Sequence, residues 1–300
     1  MAQGHPEPLL QETENLDNQQ IQRTHCSRFR GRRQQRITKQ IVLFAIGDLH
    51  VHENDNPLPR PVRKTAMGNW TTLDTPHGQV TAWHTTPSGT PRGGLVVIQE
   101  IFGANEHIRQ VAEDFAAQGY EVLAPSFFDL IEKDLQLPYD NDGVKRGLEL
   151  VGQIGVDKAV DVVKAAAATL AQALESPHQD VQAIARDSHN VGTVGYCWGG
   201  TIALLSATRL DLPSVSYYGG RNTQFLDEAP KAPVMFHFGE QDKSIPPEAV
   251  QQHREKLPQM EVFTYPADHA FNRSVGHNYE PESARLARER TLRFLAEQLA

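Results

Sequence analysis

Val191–Leu205 reads VGTVGYCWGGTIALL. An apolar, β-branched run ends at Gly195, turns through Tyr196, Cys197 and Trp198, and leaves through Gly199 and Gly200 into an alanine- and leucine-containing helical pattern. That pattern is a strand, a tight turn and a helix. Small residues two before and two after Cys197 let the chain fold back sharply, because glycine tolerates positive φ and close helix–strand contact. Cys197 then sits at the tip of the turn beside a helix N-terminus, where the dipole and unpaired N–H groups stabilise negative charge on sulfur. Free cysteine is also among the most buried residue types, so the turn alone reads either as a nucleophile or as a structural cysteine.

Composition narrows the class of protein. The 300 residues are 39% hydrophobic and 22% charged, and no apolar run approaches the roughly 18 residues of a membrane helix. Ile41 to Ile46 is too short for a span or a secretory core. Cys26 and Cys197 do not make a disulfide framework, and a working thiol suits a reducing, cytoplasmic compartment. A net charge of −8 argues against nucleic acid as the main partner.

The charge is uneven. Met1 to Ala66 hold ten Lys or Arg against seven Asp or Glu, whereas the remainder carries 19 against 30. This glutamine-, arginine- and proline-rich segment has no apolar period, so residues 1–66 are expected to be a disordered extension. Its basic cluster, Arg28 to Arg36, reads as a solvated charge run, and its four early acidic residues count against a transit peptide. Met67, just before the first patterned segment, is a candidate natural start. Phe44 to His50 resembles the opening metal-binding motif of metallophosphoesterases, but the further ligands of a two-metal site have no match downstream, and no metal is expected.

From 67 to 300 the pattern is that of one α/β domain of about 230 residues. Trp70 to Leu73 and Val80 to His84 form a hairpin about Pro76-His77-Gly78. Strands are expected at Leu95 to Gln99, Glu121 to Ala124, Val191 to Val194, Ser214 to Tyr218, Val234 to Phe238 and Val262 to Tyr265. Helices are expected at Glu106 to Gln118, Asp157 to Leu174, Gly199 to Thr208, Pro247 to Leu257 and Glu280 to Leu299. Such alternation means a mostly parallel central sheet with helices on both faces. Ligands of such sheets bind beyond the carboxyl ends of the strands, where Glu100, Cys197, Asp242 and His269 all stand. A nucleophile followed by an acid and then a histidine is the chain order of α/β-hydrolases.

Glu100-Ile101-Phe102-Gly103, Gly195-Tyr196-Cys197-Trp198-Gly199-Gly200, Gly239-Glu240-Gln241-Asp242 and Asp268-His269-Ala270-Phe271 together resemble the dienelactone hydrolase family, the carboxymethylenebutenolidases. The four motifs occur in order and cover all but the extension. The resemblance implies an α/β-hydrolase fold and a cofactor-free hydrolase of small-molecule lactones or esters, with a Cys197–His269–Asp242 triad. It implies an oxyanion hole from the amides of Trp198 and Ile101, and a Glu100 that contacts the resting thiol and takes its proton when substrate binds. Arg273 matches the family arginine that helps bind a substrate carboxylate, and Arg146 is the nearest candidate for a second one, in a region whose spacing departs from the family's. The competing reading is a non-catalytic α/β-hydrolase fold that binds a ligand or senses oxidants through Cys197.

Other polar and aromatic residues receive plainer expectations. His237 reads as a packed strand histidine, and His107, His253 and His277 as solvated. Phe127, Phe128 and Tyr139 read either as pocket lining or as lid packing, and Trp198 as a pocket shelf or a core residue.

Overall fold

The computed structural model describes residues 68–175 and 190–299. The extension at 1–66, its Phe44 to His50 motif and Met67 lie outside the described residues. The sheet has eight strands in the order β1-β2-β4-β3-β5-β6-β7-β8. These are β1 (Asn69–Thr75), β2 (Gly78–Thr85), β3 (Gly94–Ile98), β4 (Glu121–Pro125), β5 (Val191–Tyr196), β6 (Ser214–Tyr217), β7 (Val234–Gly239) and β8 (Glu261–Tyr265). The β1–β2 and β2–β4 pairs are antiparallel, and every later pair is parallel. The helices are α1 (Glu106–Ala116), α2 (Asn141–Leu174), α3 (Trp198–Leu210), α4 (Pro247–Lys256) and α5 (Pro281–Gln298).

Alternation along β3 shows why both faces must be covered. Leu95 and Val97 pack with Ile108 and Phe115 of α1 and with Phe294 and Leu295 of α5. Val96 and Ile98, pointing the other way, pack with Leu150 and Val163 of α2 and Ile202 of α3. A strand apolar on both faces is stable only when sandwiched, and this arrangement is the α/β-hydrolase fold. Among the described residues no helix is long and apolar enough to cross a membrane.

Two expectations are corrected. The helix expected from Asp157 begins at Asn141, capped by Asp140, whose carboxylate accepts from the Gly143 amide at 2.8 Å. Glycines at 143, 147, 152 and 155 mask the helical signal, and Gly155, at φ 71°, breaks the helix into two stretches. Gly147 is used for close approach: a Cβ there would lie 2.0 Å from the Ile101 carbonyl. His107 and His253 are buried rather than solvated, whereas His277 is exposed. Residues of the 272–281 segment stand beside His107, and His253 packs edge-on against Phe236 and Phe238.

His237 is buried in β7, hydrogen-bonded at Nδ1 to Tyr265 Oη (2.7 Å) and at Nε2 to Thr291 Oγ1 (3.1 Å). Burial first, then Arg290, lowers its pKa from 6.5 to about 3. Burial likewise brings His107 down to about 4, with Arg273 adding to the effect, and His253 down to about 4 against the opposing pull of the Ala249 carbonyl. All three are neutral when folded and take up a proton on unfolding below pH 6.5. The unfolded chain therefore binds more protons between that pH and the folded values, so stability falls as pH is lowered through the window. Each fully coupled histidine contributes up to about 1.4 kcal/mol per pH unit. Urea midpoints should accordingly drop between about pH 7 and about pH 5. Equal midpoints would contradict neutral burial of these rings.

Candidate active site

Cys197 adopts φ 57° and ψ −115°, a backbone region costly to a non-glycine residue. Two neighbours make the corner feasible. A Cβ on Gly195 would lie 1.9 Å from the Gly199 carbonyl, and one on Gly199 would lie 2.5 Å from the carbonyls of both Ile98 and Gln99. The corner is fixed by the Cys197 amide, which donates to Tyr217 O at 3.0 Å, and by the Gly200 amide, which donates to Cys197 O at 3.0 Å. The Cys197 side chain is a free, partly exposed thiol at the start of α3.

Asp242 lies in the turn after β7, with its carboxylate sealed from solvent. Its Oδ1 accepts from the Ser244 amide at 2.8 Å, and its Oδ2 lies 2.6 Å from His269 Nδ1. His269 is carried by the loop after β8, where its carbonyl accepts from Asn278 Nδ2 and its amide donates to Asp268. The Cys197 sulfur stands close enough to the His269 ring to act on its charge. Burial by itself depresses the ring, but the Cys197 sulfur and then the Asp242 carboxylate outweigh it and hold the imidazolium well above its usual range. The arrangement can hold a proton on imidazole beside a sulfur and keep that ring's orientation fixed from behind.

Glu100, just beyond β3, is 1% exposed. Burial raises its pKa, with Arg273 and then His269 pulling it back. Its partner is Arg273, whose Nη1 donates to the two carboxylate oxygens at 3.3 and 3.5 Å. Among the described residues the carboxylate makes no hydrogen bond to Cys197. Trp198, at the first position of α3, has an amide without an intrahelical acceptor, and the Ile101 amide likewise meets no acceptor among the described residues.

The structure thus gathers Cys197, His269, Asp242, Glu100 and Arg273 at one end of the sheet. Arg146 is not tied into this group: it pairs with Glu132 and Glu149 on the outside of α2, with its side chain 40% exposed. Phe127 and Phe128 are fully buried, and the Trp198 ring meets Phe127 edge-on at 5.3 Å, which makes these core residues. Two residues are added to the site. Tyr218 follows β6 with φ 40°, its ring 5.0 Å from that of His269 and its buried hydroxyl without a partner among the described residues. Asn105 caps α1 and donates to the Tyr139 hydroxyl at 2.8 Å. An Asn immediately before a helical run is a readable cap, whereas nothing local in the sequence marks Tyr218. Among the described residues no group of three or more His, Cys, Asp or Glu side chains could hold a metal ion.

A model of the dienelactone hydrolase family matches residues 80–299. The carboxymethylenebutenolidase of Pseudomonas putida is 31% identical over 219 residues, covering 70% of this chain and 88% of that protein. That of Pseudomonas sp. strain P51 is 33% identical over 211 residues, covering 68% and 84%. A solved structure from Klebsiella pneumoniae, described provisionally as a dienelactone hydrolase, superimposes with a TM-score of 0.66 at 27% identity, covering 77% of this chain and 98% of that one.

Proposed function

Because the chain belongs to the dienelactone hydrolase family, a family of ester-type hydrolases, we propose that it opens lactones or cleaves esters with Cys197 as nucleophile. The observation that carries this reading is the Cys197–His269–Asp242 line, with the thiol at a positive-φ corner and the imidazolium favoured beside it.

The Cys197 thiolate adds to the substrate carbonyl carbon, forming a C–S bond. Charge gathering on the carbonyl oxygen is met by the amides of Trp198 and Ile101, each such donor contributing about 3 kcal/mol. The acyl C–O bond then breaks, and the departing oxygen takes the proton held by His269. Neutral His269 removes a proton from water as the water oxygen bonds to the acyl carbon of the thioester. The C–S bond breaks, the thiolate is regenerated and the acid is released. Asp242 keeps the ring in the tautomer that both proton transfers require. Glu100 receives the thiol proton when Arg273 is engaged elsewhere, so that a permanently ionised, oxidisable thiol is avoided.

Arg273 favours substrates that bear a carboxylate. Its Nε and Nη1 are used within the protein, and Nη2 makes no hydrogen bond among the described residues. A hydrogen bond to a charged group contributes about 1.5–3 kcal/mol, so Arg273→Ala should lower kcat/KM for cis- or trans-dienelactone by about 10- to 100-fold. The loss on a neutral ester such as p-nitrophenyl acetate should be smaller. Equal losses on anionic and neutral substrates would remove the carboxylate preference from this reading while leaving the thiol chemistry in place.

A further inference from the structure

Arg273 is held from three sides. Its Nε donates to the Val275 carbonyl at 2.9 Å, and its Nη1 reaches Glu100. The third contact is with aromatic faces: the guanidinium carbon lies 4.3 Å from the centre of the Tyr139 ring and 5.6 Å from that of Phe102. The two rings meet edge-on with centroids 4.6 Å apart, forming a wall behind the cation. A cation on a ring face is attracted by the ring quadrupole, more strongly where water is excluded, and the Arg273 side chain is only 12% exposed.

The contact to Glu100 does not fix the guanidinium by itself. One nitrogen serves both carboxylate oxygens at 3.3 and 3.5 Å, long for such bonds and unlike a two-nitrogen fork. The ring face supplies the missing constraint, and Tyr139 is itself anchored. Asn105 Oδ1 caps α1 by accepting from the Ile108 amide at 3.3 Å, which turns its Nδ2 toward the Tyr139 hydroxyl at 2.8 Å. The Leu137 amide donates to Phe102 O at 3.0 Å, tying the segment before Tyr139 to the loop after Glu100. A chain of contacts therefore runs from the α1 cap through Asn105, Tyr139 and Arg273 to Glu100.

We propose that Tyr139 is a positioning residue: its ring, locked by Asn105, fixes the plane and place of the Arg273 guanidinium so that Arg273 is held within reach of both Glu100 and a substrate carboxylate. The proposal rests on the reading of Glu100 and Arg273 as members of the site, and two separate readouts test the two statements.

The first readout is the ¹⁵N–¹H signal of Arg273 Nε in the full chain, assigned by its disappearance in Arg273→Ala. In the wild type the proton should be displaced by the ring current and slow to exchange, and in Tyr139→Phe, which keeps the ring but not its hydrogen bond to Asn105, both effects should be only partly lost. In Tyr139→Leu it should move to the position of a free arginine and exchange faster. The second readout is steady-state kinetics on cis-dienelactone. Tyr139→Leu should raise KM about tenfold with a smaller change in kcat, as expected for a lost, largely desolvated cation–ring contact. Tyr139→Phe should stay within about threefold of wild type, having lost one neutral hydrogen bond. In an Arg273→Ala background, Tyr139→Leu should add nothing.

An unchanged Arg273 signal in Tyr139→Leu, or an equal further loss in the double variant, would overturn the proposal. If the signal depends on Tyr139 but Arg273→Ala hydrolyses the lactone normally, positioning stands and the substrate reading fails. Asn105→Ser keeps a capping oxygen for α1 while removing the donor to Tyr139. It should show the same changes at smaller amplitude, which keeps the test decisive if the leucine variant does not fold.

Discussion

Cys197→Ala is expected to lower kcat/KM for p-nitrophenyl acetate on the order of 10⁴-fold or more, with thermal melting close to wild type. Alanine leaves the amides of Trp198 and Ile101 in place, so binding and charge stabilisation persist while the atom that forms the thioester is gone. What remains is attack by water on a carbonyl held in the oxyanion hole, and such remnants are small beside an intact triad. The fold should tolerate the change, because alanine keeps the Cβ already accommodated at the strained corner at φ 57° and the sulfur it removes is partly exposed. An alanine variant with wild-type rates would mean that the chemistry lies elsewhere and that Cys197 serves another purpose.

Asp242→Asn should reduce kcat by about 10³- to 10⁴-fold with little change in structure. The Ser244 amide donates to Oδ1 at 2.8 Å, and an Asn oxygen can keep that bond only by turning its NH₂ toward His269. Nδ1 would then have to accept rather than donate, which reverses the tautomer and removes a carboxylate that favours the imidazolium. Because Asp242 raises the His269 pKa in the wild type, its loss lowers that pKa. The basic limb of the rate profile, where the ring loses its proton, should therefore move to lower pH. Wild-type kcat and an unmoved basic limb would show that His269 is neither oriented nor charged by Asp242.

The sheet was legible because buried parallel strands carry short apolar runs with turn residues after them, and LVVI of β3 or VMFHF of β7 can do little else. The site was legible for a related reason: Glu100, Cys197, Asp242 and His269 each sit just past a strand end, so topology alone brings them together. What escaped was set by contacts between distant segments. The stretch Asn141 to Ile154 is helical despite its glycines because Leu150, Val151 and Ile154 bury against the sheet. His107 and His253 look like surface histidines until the fold brings the 272–281 segment across a shared cavity from His107 and packs the Phe236–Phe238 pair against His253. Arg146 offered the right charge near the right place, but its neighbours on α2 and at Glu132 supply carboxylates that hold it at the surface. Tyr139 and Arg273 are far apart in sequence, and no local spacing could have announced their contact.

The proposed catalysis turns on a covalent bond at one sulfur. Rapid acid quench of the enzyme with p-nitrophenyl acetate, followed by peptide mass spectrometry, reads that bond directly. An acetyl group on the peptide containing Cys197, formed as fast as the first turnover and absent from Cys197→Ala, is the predicted result. Full turnover with Cys197 unmodified, or with the acetyl group carried by another residue, would contradict it.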